Sequence, residues 1–148
     1  VGAKIYFGPN DTRVYKMDAS TLNIEWTSTD LGSETIGPLI GSNHGVAKDF
    51  VFQGAGENIH FIQISDGNRT TQIPIEGAVS TNMIMRSDRL YVGTTLGKGY
   101  CINIATASIV YTYRMPGGGA VGAVSTDVTK DAAIWATTTG AVVKTQLD

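Results

Sequence analysis

The amino-acid sequence predicts an all-β protein of the β-propeller type, and three observations lead to this prediction. Short apolar runs alternate with polar residues along the chain, as in half-buried strands. Gly, Pro, Asn, Asp and Ser bound these runs, which is typical of tight turns. The runs also recur with a period of 40 to 47 residues. Repeats of four short strands with such a period are typical of propeller blades.

Fourteen strands are predicted, and no segment carries the apolar stripe of a helix. Ten cover residues 5–7, 13–18, 24–28, 50–53, 59–64, 89–93, 100–104, 109–114, 132–136 and 142–147. Another is centred on Ile73. Three more are expected to open a blade each: Thr35–Ile40, Val79–Arg86 and Ala120–Thr126.

The period is set by one aliphatic position that follows a polar residue near the end of a strand. It is occupied by Met17, Ile64, Ile104 and Leu147, so the steps are 47, 40 and 43 residues. The blade segments are about 1–33, 34–77, 78–117 and 118–148. This corresponds to about three and a half to four blades, without the first strand of the first blade and the last strand of the fourth. The ring is therefore expected to be incomplete within this chain, because propellers close with about 4 to 8 whole blades.

The first repeat resembles a blade of the quinoprotein alcohol dehydrogenase-like family, also called the pyrroloquinoline-quinone (PQQ)-like repeat. The resemblance runs from Ile5-Tyr6-Phe7-Gly8 through Arg13–Thr21 to Ile24-Glu25-Trp26. Leu22 stands where the family usually has a turn glycine. Ile73 and Tyr111 are expected to replace the family's blade-packing Trp in the next two repeats. The resemblance implies that Trp26, Ile73, Tyr111 and Trp135 lie in or near the contacts between blades.

The same periodicity predicts which residues form the core. Eleven side chains are expected to be mainly buried: Tyr15, Met17, Trp26, Ile62, Ile64, Ile73, Tyr91, Ile102, Ile104, Tyr111 and Trp135.

Composition excludes several classes of protein. The chain has 148 residues, 42% of them hydrophobic, so it can bury a core of domain size. The net charge is −2 and the basic residues are scattered, which argues against a nucleic-acid binder. One cysteine, Cys101, excludes a disulfide framework and a cysteine-based zinc site. No apolar run approaches 18 residues, so no membrane span is predicted. Because residue 1 is Val, the sequence is expected to be a processed product or an excerpt.

No catalytic, cofactor-binding or metal-binding residue is predicted. His44 and His60 lack partners at metal-ligand spacing and are expected to have ordinary surface or turn roles. Cys101 is interpreted as a small core residue. Pro116–Gly119 lacks the Lys-Ser/Thr of a phosphate-binding loop and is interpreted as a linker between blades. Quinoprotein chemistry would need a calcium site and an Asp base, and Glu34, Asp49, Glu57 and Asp88 show no such spacing.

The function predicted is a non-catalytic propeller scaffold or protein-binding module, completed by further chain, a second copy or another protein. Two alternatives are a structural subunit of a self-associating extracellular assembly and a fragment of a quinoprotein dehydrogenase. Asn10 and Asn68 begin N-glycosylation acceptor patterns in predicted turns. The resemblance implies a secreted, periplasmic or lumenal setting.

Overall fold

The computed structural model describes residues 2–41, 45–127 and 132–146, and for residues 36–40, 46 and 47 the backbone alone. The described residues form four antiparallel sheets, each with its strands in chain order. A single 3-10 turn over Gly45–Asp49 is the one helical segment in the described part of the chain. No helix there is long and apolar enough to cross a membrane.

We number the sheets as blades in chain order. The first blade contains β1 (Lys4–Phe7), β2 (Tyr15–Asp18) and β3 (Ile24–Thr27). The second contains β4 (Thr35–Gly41), β5 (Phe50–Ala55), β6 (Asn58–Gln63) and β7 (Arg69–Pro74). The third contains β8 (Ile84–Arg86), β9 (Arg89–Gly93), β10 (Lys98–Asn103) and β11 (Ser108–Arg114). The fourth contains β12 (Val121–Asp127), β13 (Ala132–Thr137) and β14 (Val142–Gln146). These fourteen strands confirm the predicted fold class and the two three-stranded outer blades.

The core consists of three apolar layers, each between consecutive blades. Among the described side chains, four are fully buried in the layer between blades 1 and 2: Val14, Leu31, Ala55 and Ile62. Twelve are buried in the layer between blades 2 and 3, including Phe52, Phe61, Leu90 and Ile102. Seven are buried in the layer between blades 3 and 4, including Tyr91, Cys101 and Trp135. No comparable cluster of described side chains joins blade 4 to blade 1.

Six of the eleven side chains predicted to be mainly buried are fully enclosed, and five are partly exposed. Ile62, Ile73, Tyr91, Ile102, Ile104 and Trp135 are buried. The other five are only half-buried: Tyr15, Met17, Trp26, Ile64 and Tyr111. Tyr15 and Met17 lie on the outward face of blade 1, which no described blade covers. The others lie near the outer rim, on the last strand of a blade or just after β6.

The turns before the outermost strands fix the true register of the repeats. Leu22, Gly67 and Ala107 all have positive φ, at 59°, 77° and 50°. The amides of Leu22 and Gly67 donate to the carbonyls of the residues four positions earlier, Asp18 and Gln63. Asp18 and Asn103 each cap the next two free amides of their turn with the side chain. These three turns are therefore equivalent, and the left-handed residue marks the same position in each.

This register corrects two sequence alignments. The amides of Ala19, Ile64 and Ile104 each donate to the carbonyl of the residue just before the second strand of a blade, namely Ala3, Asp49 and Asp88. Ala19, and not Met17, is therefore the equivalent of Ile64. Counting four residues from the left-handed position leads from Trp26 to Thr71 and Tyr111. Thr71 thus holds the position that the sequence had given to Ile73. Both errors arise because period-2 alternation leaves a shift of two residues undetected.

Candidate interaction surface

Trp26 joins the first blade to the second. Its indole Nε1 donates a hydrogen bond of 2.9 Å to the carbonyl oxygen of Ile64. Its ring lies over Gly67, where an added Cβ would come within 2.6 Å of the indole carbon Cε3. Lys16 Nζ approaches the same Ile64 carbonyl at 3.4 Å. The glycine in the turn of blade 2 is therefore part of the contact with blade 1.

Tyr111 makes the corresponding contact between the third and fourth blades. Its hydroxyl donates to the carbonyl oxygen of Gln146 at 3.3 Å. As with Trp26, an aromatic side chain on the last strand of one blade donates to a carbonyl at the end of the third strand of the next blade. Ile73 is buried in the layer between blades 2 and 3. Thr71, at the equivalent position, cannot supply the aromatic contact.

Trp135 lies at the centre of the layer between blades 3 and 4. It is fully buried, and its Nε1 donates to Thr145 Oγ1 at 3.0 Å. Its ring centre lies 6.4 Å from that of Tyr91, with a T-shaped geometry. Its place on the second strand of its blade distinguishes it from Trp26 and Tyr111, which lie on last strands.

The remaining predicted candidates do not converge on one site. Cys101 is buried in the layer between blades 3 and 4. Glu34, Asp49, Glu57 and Asp88 lie in separate turns or loops. The described residues include no group of three or more His, Cys, Asp or Glu that could hold a metal ion. His44 lies outside the described residues, and Pro116–Gly119 lies between β11 and β12.

Asn10 and Asn68 are both exposed in turns between strands. Asn10 lies between β1 and β2, and Asn68 lies between β6 and β7. The backbone amide of Asn68 donates to Asp66 Oδ1 at 2.9 Å, which fixes the turn while the Asn68 side chain stays exposed. Both positions are sterically open to a modifying enzyme.

Blade 1 carries a network of ion pairs on its inner side. Lys4 Nζ lies 2.8 Å from Asp18 Oδ2 and also contacts Glu25. Glu25 is shared with Lys16 at 3.2 Å. The hydrogen bond from Lys4 holds the pKa of the Asp18 carboxyl well below its usual range, and the amides of Thr21 and Ser20 act in the same direction. These groups satisfy one another and leave no free charge to bind a ligand.

The opposite face of blade 1 is apolar and uncovered. The strand register places Ile5, Met17 and Ile24 side by side across the sheet, next to the pair Phe7 and Tyr15. The rings of Phe7 and Tyr15 stack with their centres 5.3 Å apart. Ile5 and Ile24 are 41% and 55% exposed, far more than the side chains of an inner strand. We call these five residues the open face.

The open face has the composition of a buried blade face. By strand register, Ile5 and Met17 correspond to Leu90 and Ile102, since each is a cross-strand pair at the same distance from the equivalent turn. Leu90 and Ile102 are completely buried against blade 2. The same positions in blade 1 differ only in having no described blade in front of them.

Blade 4 presents a second uncovered face on the other side of the stack. Ile134 pairs with Lys144, and Ala136 pairs with Val142, on the side turned away from Trp135. Val142 is 71% exposed, the highest fraction among the exposed large hydrophobic side chains. The equivalent strand in blade 3 is β10, and the corresponding side of β10 packs against blade 4.

Sequence reasoning missed a buried polar pair between blades 1 and 2. Gln53 and His60 are directly opposite on β5 and β6, and both are fully buried. They lie on the same face as Ala55 and Ile62, which turns toward blade 1. The ordinary surface role predicted for His60 is therefore wrong. Its apolar neighbours Ile59, Phe61 and Ile62 were the available signal, because they mark a strand buried on both faces.

Comparisons with known proteins show the fold and not the family. No protein-family model and no curated protein matches the sequence. The solved structure described as the computationally designed Ika4 protein has a TM-score of 0.82 and 14% identity, over 100% of this chain and 88% of its own. BamB from Moraxella catarrhalis has a TM-score of 0.80 and 17% identity, over 99% of this chain and 44% of its own. Both are propeller-like, and this chain has a β-propeller-type fold.

Proposed function

We propose that this chain is a non-catalytic β-propeller scaffold and protein-binding module of the PQQ-like repeat type. Its binding surface is the open face of blade 1, and its partner there is the last blade of a second copy. The observation that carries the proposal is that Ile5 is 41% exposed, whereas Val51 and Leu90, its equivalents in blades 2 and 3, are 1% and 0% exposed. Apolar patches of this kind mark interaction sites in soluble proteins.

Leu22 supports a role for this end of the molecule in binding. It is 65% exposed and has a φ of 59°. A non-glycine residue in this conformation costs about 1 kcal/mol. Gly67 and Ala107 occupy the equivalent positions, so the turn itself does not need a large side chain. A leucine that is strained and exposed beside Ile24 has a reason to be there if a partner covers it.

The partner is inferred from the character of the two uncovered faces. The open face holds positions that pack on a preceding blade, and the outward face of blade 4 holds positions that pack on a following blade. A second copy can therefore continue the stack with the geometry of the existing layers. The chain also spans 44% of the length of BamB, so two copies approach the size of that propeller.

The positions of the reactive side chains support a non-catalytic role. Cys101 and His60 are the described side chains best suited to nucleophilic or acid–base chemistry. Both are completely buried, and they face different layers. A nucleophile and its base must lie within hydrogen-bonding reach of each other.

We also propose a secreted, periplasmic or lumenal setting, supported by the resemblance of the first repeat and by the exposed Asn10 and Asn68. Expression through a eukaryotic secretory pathway tests the acceptor sites. Glycosidase treatment should lower the mass, and Asn10→Gln with Asn68→Gln should abolish that change. An unmodified wild-type chain would contradict the assignment of these two sites.

Sedimentation velocity over a range of concentrations tests the binding function. The wild-type chain should form dimers, and Ile5→Lys and Val142→Lys should each weaken association at least roughly tenfold, the scale expected for losing a buried aliphatic side chain. Val110→Lys is the matched control, because Val110 is 38% exposed on the outer strand of blade 3.

A mixture of the Ile5→Lys and Val142→Lys variants distinguishes a second copy from other partners. One intact junction can form in the mixture, between the unmodified open face of one variant and the unmodified blade 4 of the other. Association should therefore recover in the mixture above either variant alone. A monomer at all concentrations would overturn the proposal.

A further inference from the structure

The layer between blades 1 and 2 contains a histidine where the other blades have aromatic or aliphatic side chains. By strand register, His60 corresponds to Tyr15, Tyr100 and Val143, and its partner Gln53 corresponds to Phe7, Val92 and Trp135. Blade 2 is thus the one blade with a polar pair at this place in the sheet. The fold does not require it, since the equivalent apolar pairs occupy the same register.

His60 is completely buried, and neither ring nitrogen has a hydrogen-bond partner of normal geometry among the described residues. Gln53 is directed elsewhere, because its Nε2 donates to the Gly54 carbonyl at 2.9 Å. Its Oε1 lies beside Gly8 of blade 1, where an added Cβ would come within 2.9 Å. A neutral imidazole is tolerated in such a layer, but a charged and unpaired one is costly.

The charged groups around this layer do not compensate an imidazolium. Within blade 2, the positive Arg69 is the charge that acts on His60. Three cations of the facing blade are paired with carboxylates: Arg13 with Asp30, Lys16 with Glu25, and Lys4 with Asp18. The Asp11 carboxylate accepts a hydrogen bond from the Tyr15 hydroxyl. Burial, together with Arg69, lowers the pKa of His60 to about 4, against an opposing effect of the Ala55 carbonyl.

This layer is also the weakest of the three. Among the described side chains its cluster of buried apolar residues has four members, against twelve and seven in the other two layers. Blade 1 has a layer on one side only. We propose that His60 makes the contact between blades 1 and 2 acid-sensitive, so that its protonation separates blade 1 while blades 2 to 4 stay packed.

The direction of the pH dependence follows from the histidine. When blade 1 is separated, His60 has its ordinary pKa of 6.5 and is protonated below that pH. In the packed layer its pKa is lowered to about 4, so it stays neutral down to that pH. The ratio of packed to separated blade 1 should therefore fall by roughly 100-fold as the pH falls through this window. The stabilising carboxylates titrate lower, since the ordinary pKa values of Asp18 and Glu25 are 3.8 and 4.5 and both are lowered in the fold.

The two tryptophans report the two ends of the molecule separately. Trp135→Phe leaves Trp26 as the one tryptophan, and Trp26→Phe leaves Trp135. In moderate urea, Trp26 emission should shift to the red between pH 6.5 and 4.5, while Trp135 emission stays unchanged. His60→Phe in the Trp135→Phe background should keep Trp26 emission constant over the same range.

An NMR titration of the imidazole signals is a second measurement, and it needs no substitution at His60. His44→Gln assigns the remaining signal to His60, which should titrate well below 6.5 in the packed state. Three results would overturn the proposal: an ordinary titration of His60, an unchanged Trp26 response in His60→Phe, or simultaneous shifts of Trp26 and Trp135.

Discussion

At the scale of single residues, strain and exposure coincide at Leu22. The resemblance of the first repeat to a PQQ-like blade identified Leu22 as a departure from the family's turn glycine, and the positive φ shows that it occupies that turn position. The sequence alone could not show that the side chain is exposed, because exposure depends on which blade faces have neighbours.

Leu22→Gly should therefore stabilise the isolated chain by up to about 1 kcal/mol, since glycine adopts positive φ without the steric penalty. Urea denaturation measures the gain. The matched control is Ala107→Gly, at the equivalent position with a φ of 50°. Both variants should gain stability, and only Leu22→Gly should also weaken self-association. Equal effects of both on association would contradict a binding role for Leu22.

At the scale of an element, the outermost strand and the next turn act as one unit. The ring of Trp26 on β3 packs against Gly67, so the contact depends on a residue 41 positions later in the chain. The sequence predicted the strand over residues 24–28 correctly, because its apolar alternation is local. It assigned Ile73 rather than Thr71 to the Trp26 position, because the alternation of apolar residues does not fix a register to better than two residues.

Gly67→Ala tests the contact between these elements. The new Cβ would lie 2.6 Å from the Trp26 ring at a φ of +77°, so the unfolding free energy should fall by about 2 kcal/mol or more, combining backbone strain with overpacking. Gly32→Ala is the control, since Gly32 has a φ of +82° and no atom within 4 Å of an added Cβ. Gly32→Ala should lower the unfolding free energy only by the cost of placing alanine at a positive φ. Equal losses in the two variants would show that the Trp26 contact is not tight.

At the scale of the whole molecule, the three layers are unequal, and stability should follow their size. The repeat period and the strand pattern predicted the fold class and the open ends, because each blade is specified by local sequence. The burial of His60 and the partial exposure of Met17 could not be predicted, since both depend on how blades face one another.

Hydrogen exchange at neutral pH should show this gradient. Amides of β2, such as that of Met17, should exchange at least about tenfold faster than those of β10, such as that of Ile102, because opening blade 1 exposes less apolar surface than opening the centre. Mass spectrometry of peptides from the two strands measures the difference. Uniform protection across all four blades would show that the molecule opens as a single unit.

The contacts made by Trp26 and Tyr111 give the row of blades a polarity. In both, the donor belongs to the earlier blade and the acceptor carbonyl to the later one. Two first blades placed face to face would present acceptors to acceptors, and two last blades would also lack matching partners. Copies can therefore join in one direction only, with blade 4 of one copy packed against blade 1 of the next. A tandem duplication of the coding sequence would keep that direction, and the segment joining Gln146 of one unit to Lys4 of the next would have to supply the donor strand that the described part of blade 4 lacks.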